Sequence, residues 1–174
     1  MHLRPPGEAD AGWITESVVD PEVPRWTRVA SPYTKEDAFA WVALAESMLR
    51  EGTAFHLLIT EVHDGRPLGA GGLEIHSEPS PHGEIGYWVA APARGRGVAT
   101  RAVRLLADWA LAHLDLPAIE VHVLPANAAS QAVARKAGFA VAERRLLAFR
   151  ASIEEFDIYV RQAAGAAPKG RPVA

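Results

Sequence analysis

The chain has 174 residues, and its 49% hydrophobic and 22% charged content is typical of one globular domain large enough to bury a sizeable core. The net charge of −3 does not indicate a large nucleic-acid-binding surface, and the absence of cysteine excludes disulfides, cysteine-based zinc sites and a cysteine nucleophile. Because the N-terminal residues contain no apolar signal segment and no apolar run approaches the roughly 20 residues that span a bilayer, we expect a soluble cytoplasmic protein that binds neither membrane nor nucleic acid.

Hydrophobic periodicity and turn residues predict seven strands and four helices. The predicted strands are His2–Arg4, Phe55–Val62, Pro67–His76, Glu84–Ala90, Ala118–Leu124, Phe139–Phe149 and Ile153–Val160. The predicted helices are Gly7–Val19, a helix from its cap Thr34 to about Arg50, Gly97–Leu114 and Ser130–Ala137. The predicted loops are Asp20–Pro32 and Ser77–His82, and residues 163–174 are expected to be a disordered tail. Strands that come first and then alternate with helices predict a mixed α/β sheet with helices on both faces.

Three local patterns support these predictions. Thr34, followed three residues later by Asp37, is a capping box that starts the second helix, and Gly52 ends that helix. The sequence Asp-Gly at residues 64–65 predicts a hairpin turn between the second and third strands. The glycines within residues 69–72 weaken the third strand and indicate a bulge or a close approach of another backbone.

The most informative segment is residues 83–99, in which a hydrophobic strand leads through a short loop into a glycine-rich turn and a helix. Gly95 and Gly97 allow a ligand to approach the backbone closely, and the helix N-terminus favours a phosphate or pyrophosphate. A P-loop is excluded because no Lys-Ser or Lys-Thr follows the glycines, and the dinucleotide fingerprint has Thr100 in place of its third glycine. The acyl-CoA pattern [QR]-x-x-G-x-[GA] is satisfied in full by residues 94–99.

A second motif follows in the right order, since residues 127–130 and 135–139 match the pattern N-x-x-S…K-x-G-F. With both motifs, the chain resembles the GNAT superfamily of acetyl-CoA-dependent N-acetyltransferases, and within it the Rim-type branch, over residues 3–160. The resemblance implies one domain over residues 1–162 with the GNAT fold, a central, mostly antiparallel, twisted sheet of about seven strands. The strands that end near Ala90 and begin near Ala118 would splay into a V that holds acetyl-CoA.

The resemblance also implies an activity. The protein would transfer the acetyl group of its cosubstrate acetyl-CoA to a primary amine by direct attack in a ternary complex. The acceptor would be the α-amine of a peptide or protein, or a small-molecule amine. Relatives in the Rim-type branch are often dimers, so a homodimer is a further expectation. We expect no metal, because the seven histidines show no metal-ligand spacing.

Several residues are candidates for binding the donor. Backbone N–H groups of the turn would bind the pyrophosphate, and the backbone N–H of Val89 would polarise the thioester carbonyl. By resemblance, Asn127 would bind the pantetheine arm, although an N-cap of the following helix is the alternative role. The residues of the turn are Arg94, Gly95, Arg96, Gly97, Val98, Ala99 and Thr100.

Proton transfer needs further residues. Ser130 is the candidate proton donor for the thiolate, with helix capping as its alternative role. Many relatives carry a tyrosine one helical turn further along, where this chain has Ala134. The general base is predicted to be Glu84, at the start of the fourth strand, or His122 on the fifth, with a mechanism that uses neither left open. Trp88 is predicted to pack or to wall the substrate groove.

The acceptor pocket is predicted to involve Trp26 and Tyr33, which equally suit packing of their own loop. An α-amine has a pKa near 7.7–8.0, so a much larger fraction of it is neutral at pH 7 than of a lysine side chain. The difference is worth roughly 3.5 kcal/mol, which favours α-amines or perturbed amines as acceptors.

Two alternatives stay open. One is a non-catalytic acyl-CoA-binding sensor or interaction module on the same fold, and the other is a nicotinamide-dinucleotide protein.

Overall fold

The computed structural model of the protein describes residues 1–78 and 80–164. Within these ranges the strands are β1 (His2–Arg4), β2 (Ala54–Thr60), β3 (Pro67–His76), β4 (His82–Val89), β5 (Ala118–Val123), β6 (Ala140–Phe149) and β7 (Ser152–Gln162). The α-helices are α1 (Ala11–Val18), α2 (Glu22–Trp26), α3 (Lys35–Glu51), α4 (Val98–His113) and α5 (Ala128–Lys136). Short 3₁₀ turns cover Glu8–Asp10 and Ala91–Ala93.

All seven strands join one sheet in the order β1-β2-β3-β4-β5-β7-β6. Every neighbouring pair is antiparallel except β4 and β5, which run parallel and pair only at Gly83 with Ile119 and Glu84 with Glu120. Beyond these two positions β4 and β5 diverge. The mixed, mostly antiparallel sheet with a V between the fourth and fifth strands is therefore confirmed.

Helices cover both faces of the sheet, as predicted. Helices α1, α2 and α3 bury apolar side chains such as Ile14 and Val42 against Leu58 on one face, called here the α1–α3 face. Helices α4 and α5 bury Val103 and Ala134 on the opposite, α4–α5 face. Because side chains alternate along a strand, neighbouring residues of β4 and β5 serve different faces.

The predicted local structures form. The Thr34 hydroxyl accepts the Asp37 N–H at 3.2 Å while the Asp37 carboxylate accepts the Thr34 N–H at 2.8 Å, and α3 ends at Gly52. A Cβ on Gly69 would lie 2.3 Å from the Trp88 carbonyl oxygen, so the predicted close approach between β3 and β4 is confirmed. The pairing of β2 with β3 also contains a register shift after Ile59.

Two predictions for the N-terminal region were wrong. The predicted helix Gly7–Val19 is divided into a 3₁₀ turn and α1. The predicted loop Asp20–Pro32 contains α2, because its prolines, Pro21 and Pro24, stand at the N-cap and in the first turn, where no intrahelical N–H is needed. A side-chain oxygen of Asp20 accepts the Glu22 N–H at 2.9 Å and starts this helix.

The other predicted elements form, and their ends differ from the predicted ends by a few residues at most. The predicted domain limit at residue 162 coincides with the end of β7 and stays a prediction. Residues 165–174 of the predicted tail and Pro79 of the predicted Ser77–His82 loop lie outside the described residues. Where the structure describes the chain, no helix is both long and apolar enough to cross a membrane.

Candidate active site

The glycine-rich turn joins β4 to α4 and forms an open cradle of backbone amides. Gly95 and Gly97 have φ of +74° and +73°, in the left-handed region that other residues rarely adopt. Gly97 is the N-cap of α4, so the amide N–H groups of the next three residues have no partner within the helix. These residues are Val98, Ala99 and Thr100. The free amides and the positive end of the helix dipole favour an anion in front of the turn.

Two arginine side chains hold the turn in place. The Arg94 Nε–H donates to the Val89 carbonyl oxygen at 2.9 Å, and the Arg94 Nη1 lies 2.8 Å from Asp20 Oδ2. Arg101, in the first turn of α4, donates to the Arg96 carbonyl oxygen at 3.0 Å. The Arg96 side chain itself is half exposed. Arg94 therefore positions the turn, whereas the Arg96 guanidinium lies 3.6 Å from Glu61 Oε2, and its predicted contact with a phosphate stays a prediction.

Backbone donors line the cleft where β4 leaves β5. The Ala90 N–H donates to the Leu68 carbonyl oxygen of β3 at 2.9 Å. Because amide directions alternate along a strand, the N–H groups of Val89 and Tyr87 point away from β3, toward the cleft. The structure thus places the predicted Val89 amide at the cleft and adds the Tyr87 amide, which the sequence analysis did not single out.

Asn127 and Ser130 lie at the start of α5. The Asn127 side-chain oxygen accepts the Ser130 N–H at 3.0 Å, so Asn127 is the N-cap, the alternative role considered for it. Ser130 does not cap the helix. Its hydroxyl oxygen lies 2.8 Å from the phenolic oxygen of Tyr87, and the two form a hydroxyl pair on the α4–α5 face.

Tyr87 is the residue of this pair that sequence reasoning missed. Its phenol is packed against the core between β4 and α4. Burial raises the pKa of Tyr87 to about 12, against a smaller opposing effect of the hydrogen bond with Ser130. Nothing local in the sequence of β4 marks it, because its partner comes from α5, more than forty residues later.

The structure brings the two candidate bases together on the α1–α3 face. Glu84 Oε1 lies 3.4 Å from His122 Nδ1, across the gap between β4 and β5. The His122 side chain is only 7% exposed, and the Glu84 side chain is 16% exposed. Arg28, from the segment after α2, lies 3.3 Å from the same Glu84 oxygen. Glu84 therefore faces outward from a pair in which His122 is the buried partner.

Glu120, which sequence reasoning also missed, completes this cluster. Its Oε2 lies 2.7 Å from His122 Nε2 and 3.1 Å from Arg145 Nη1. Burial opposes the charge of the Glu120 carboxylate, but the hydrogen bonds from His122 and Arg145 outweigh it and lower the pKa to about 2. A carboxylate two residues before a histidine in an otherwise apolar strand was the signal that could have identified Glu120.

The sequence model of the acetyltransferase (GNAT) domain family matches residues 1–140, most of the chain. The chain belongs to the GNAT acetyltransferase family. Membership confirms the resemblance seen in the two motifs and removes the dinucleotide-binding alternative.

Three similar proteins illustrate the relationship. The probable N-acetyltransferase YjcK of Bacillus subtilis (strain 168) is 33% identical over 108 residues, which are 62% of this chain and 60% of YjcK, so the match spans less than two thirds of that relative. RimJ of Mycobacterium smegmatis, solved in complex with CoA-disulfide, has a TM-score of 0.82 at 22% identity over 93% of this chain and 81% of RimJ. The ribosomal-protein-S5-alanine acetyltransferase of Vibrio fischeri has a TM-score of 0.81 at 20% identity over 95% and 94%. The two structures establish the fold.

The turn of this GNAT domain fits the pyrophosphate of CoA. A Cβ on Gly95 would meet nothing within 4 Å, so there is open space beside the turn at this residue. The described part of the chain contains no group of three or more His, Cys, Asp or Glu side chains that could hold a metal ion.

The aromatic residues predicted for the acceptor pocket lie on the α1–α3 face of the GNAT domain. Trp88 stacks on Trp13 with ring centroids 5.5 Å apart, and Tyr33 packs against the same cluster. Trp26 donates its indole N–H to Glu22 of its own helix at 2.8 Å. Their role in binding an acceptor stays a prediction.

Substitution of Gly97 tests the turn. Gly97→Ala should weaken CoA binding about tenfold or more, because alanine costs about 1–2 kcal/mol in the left-handed region and the turn must shift to relieve it. Gly52→Ala, at a φ of +71° in the C-cap of α3, is the matched control and should leave CoA affinity unchanged. Calorimetric titration with CoA measures the affinity, and thermal unfolding measures the stability cost of each variant. Equal losses of CoA affinity in both variants would contradict the assignment.

Proposed function

We propose that the protein is an N-acetyltransferase that moves the acetyl group of acetyl-CoA to a primary amine by direct attack in a ternary complex. One observation carries the proposal: the Tyr87–Ser130 hydroxyl pair and the Glu84–His122 pair lie on opposite faces of the sheet, at the two sides of the cleft. Direct transfer needs a proton donor for the leaving thiolate and a proton acceptor for the attacking amine.

Donor binding uses the turn and the free edge of β4. In this proposal the amides of the turn bind the pyrophosphate, with the Arg96 guanidinium beside them. The pantetheine arm runs along β4, where the Val89 amide is available to it. Capping of α5 uses the side-chain oxygen of Asn127, which leaves the NH₂ group of this amide as a donor to pantetheine.

The thioester is best placed at the Tyr87 amide. Five residues of extended strand separate Glu84 from Val89, about 17 Å, whereas three residues separate Glu84 from Tyr87, about 10 Å. A carbonyl at Tyr87 therefore lies closer to a base. A backbone N–H that polarises the carbonyl in this way contributes about 3 kcal/mol to catalysis.

The hydroxyl pair acts on the leaving group. With the Tyr87 O–H donating to Ser130 Oγ, the Ser130 O–H is free to donate to the thiolate as the C–S bond breaks. The raised pKa of Tyr87 keeps its phenol protonated, so that it remains a donor throughout. A tyrosine from β4 thus supports the serine of α5, where many relatives are expected to use a tyrosine of the helix itself.

Glu84 is the general base of the proposal. It is the more exposed member of its pair with His122 and faces the side from which the amine approaches. The acceptor is an α-amine, of a peptide or a small molecule, because a base that acts through water is better matched to an amine that is already neutral in part. Trp26, Tyr33 and Trp88 are the proposed walls of its pocket.

The sensor alternative is less well supported. A module that only binds acyl-CoA needs the turn and the cleft. It has no need of a buried cluster of carboxylate and imidazole groups, whose desolvation is costly.

Acceptor preference tests the function. Release of CoA from acetyl-CoA should be fastest with a peptide that has a free α-amine and no lysine. The same peptide with its α-amine blocked and one lysine added is the control, and it should react at least tenfold more slowly at pH 7, because its amine is mostly protonated. Thiol release followed by a chromogenic disulfide, with mass spectrometry of the peptide, measures both rates. Faster reaction of the lysine peptide would contradict the acceptor assignment. CoA binding without thiol release for any amine would favour the sensor.

Variants of the hydroxyl pair test the leaving-group mechanism. Ser130→Ala and Tyr87→Phe should each lower kcat about tenfold with CoA affinity unchanged, because each removes a hydrogen bond that strengthens as the thiolate forms. The double variant should be no slower than Ser130→Ala alone, since Tyr87 acts through Ser130. Tyr159→Phe removes another phenol of the α4–α5 face, which accepts from Arg135 at 3.1 Å, and should leave kcat unchanged. Additive losses in the double variant would show that Tyr87 and Ser130 act separately.

We also propose that the protein works in the cytoplasm as a homodimer that pairs through β6. Strand β6 ends the sheet, and its Leu146 and Ile153 of the neighbouring β7, which pairs with Ala148, are 69% and 64% exposed. An exposed apolar edge strand favours pairing with another chain. Light scattering should give a dimer for the unmodified protein and for Leu44→Arg, which alters an exposed leucine of α3, but a monomer for Leu146→Arg. A monomeric unmodified protein would contradict the pairing.

A further inference from the structure

We infer that Glu84, His122 and Glu120 form a proton relay, in which Glu84 takes the proton of the acceptor amine and passes it to His122, held in place by Glu120. The inference rests on the proposed acetyl transfer. In the relay, His122 receives the proton from Glu84 and is not an alternative general base. Glu120 is a positioning residue, because it acts on the reaction only through His122.

The contact between His122 and Glu120 sets which ring nitrogen carries the proton. The 2.7 Å distance between His122 Nε2 and Glu120 Oε2 is that of a strong hydrogen bond. The pKa of Glu120, about 2, leaves its carboxylate as an acceptor only, so Nε2 must be the donor. In neutral His122 the other nitrogen, Nδ1, then carries the lone pair.

That lone pair faces Glu84. In the described part of the chain, two buried side-chain polar atoms have no hydrogen-bond partner, His122 Nδ1 and His76 Nε2. Both face the carboxylate of Glu84, at 3.4 Å and 3.6 Å. Two acceptors that face each other at such a distance can share one proton, and a buried unpaired ring nitrogen favours receiving it.

Charged and titratable side chains of several neighbouring elements lie close to the relay. Arg28 faces the outer side of Glu84, and His76 of β3 faces its other oxygen. Glu74 of β3 is the cross-strand partner of Glu84 and adds a further carboxylate on the same face. Around Glu120, His82 of β4 lies 3.8 Å away, and Arg145 of β6 donates a hydrogen bond. Phe156 of β7 packs against the His122 ring without a charge. Glu143 does not contact the relay itself, but it accepts a hydrogen bond from Arg145 on the solvent side.

Each step of the relay conserves its protons. As the amine attacks the thioester, its N–H bond breaks and the proton reaches Glu84 Oε1 through water. The Glu84 O–H bond then breaks, and the Nδ1 lone pair of His122 forms the new N–H bond. The resulting imidazolium lies between two carboxylates, and it returns the proton through Glu84 to solvent after the products leave. Because the His122 side chain is 7% exposed, Glu84 is its route to the amine.

Glu120→Gln tests the relay by kinetics, with the same acceptor amine for every variant. The kcat should fall about tenfold, and the acidic limb of its pH profile should shift to lower pH by about one unit. The direction follows from charge, because the Glu84–His122 pair binds a proton less tightly once the neighbouring anion is gone.

The matched control is Glu143→Gln, which removes the exposed carboxylate on the same arginine and does not touch His122. Its kcat and its pH profile should equal those of the unmodified protein. A uniform loss of kcat in Glu120→Gln without any shift of the profile would assign Glu120 a structural role and overturn the inference.

A second measurement does not depend on turnover. Long-range ¹H–¹⁵N spectra of the histidine rings, with His122 assigned by its loss in His122→Gln, should show the Nε2–H tautomer at high pH. The midpoint of the His122 titration should move to lower pH by about one unit in Glu120→Gln and in Glu84→Gln, and not in Glu143→Gln. The Glu84→Gln variant decides the question if Glu120→Gln does not fold.

The two measurements separate the possible failures. An Nδ1–H tautomer, or a midpoint that neither glutamate affects, would overturn the relay even in an active enzyme. The expected tautomer and shifts in a protein that acetylates no amine would reject the proposed function while leaving the shared proton established.

Discussion

The separation of β4 from β5 is the constraint on which the rest of the structure depends. The two parallel strands stay paired over two positions and then diverge, so the amides of Tyr87 and Val89 lose the partners that a continuous sheet would supply. Backbone donors without partners are costly when they are buried, so this edge favours a ligand with its own acceptors, and a pantetheine arm has them. Helix α4 covers one side of the gap with its apolar face, and its N-terminus has free amides that favour an anion.

The last paired position of these strands also creates the acid–base cluster. Parallel register places Glu84 directly beside Glu120, and two neighbouring carboxylates repel each other in a poorly hydrated site. The basic side chains around them relieve this repulsion. His122 lies between the two, Arg145 neutralises the inner carboxylate, and Arg28 approaches the outer one. The inner carboxylate has short hydrogen bonds at 2.7 and 3.1 Å, whereas the contacts of the outer one with its basic neighbours are longer, at 3.3 to 3.6 Å. This asymmetry suits the proposed relay.

Features encoded by neighbouring residues could be predicted from the sequence, and features created by pairing could not. The bounds of β3, the capping box of α3 and the glycine-rich turn before α4 are each encoded by contiguous residues, and each forms where it was predicted. Helix α2 was missed because prolines usually indicate a loop, whereas proline is also well tolerated at the start of a helix. Glu84 and His122 were each identified, but their contact depends on a crossover through α4 that brings distant strands side by side. Tyr87 was missed for the same reason, since its partner Ser130 lies on α5. Glu120 lies on the same strand as His122, and its spacing from that histidine was an available signal.

In the proposed mechanism, the position of Glu84 also limits which amines can react. A nitrogen that attacks a thioester at the Tyr87 amide lies about 10 Å along β4 from Glu84, so at least one water must carry the proton between them. A base at that distance interacts weakly with the ammonium form of the acceptor and does little to deprotonate it. The neutral form of a lysine costs about 4.6 kcal/mol at pH 7, whereas that of an α-amine costs about 1 kcal/mol. With Glu84 as the proposed base, this distance therefore favours α-amines even before the shape of the acceptor pocket is considered.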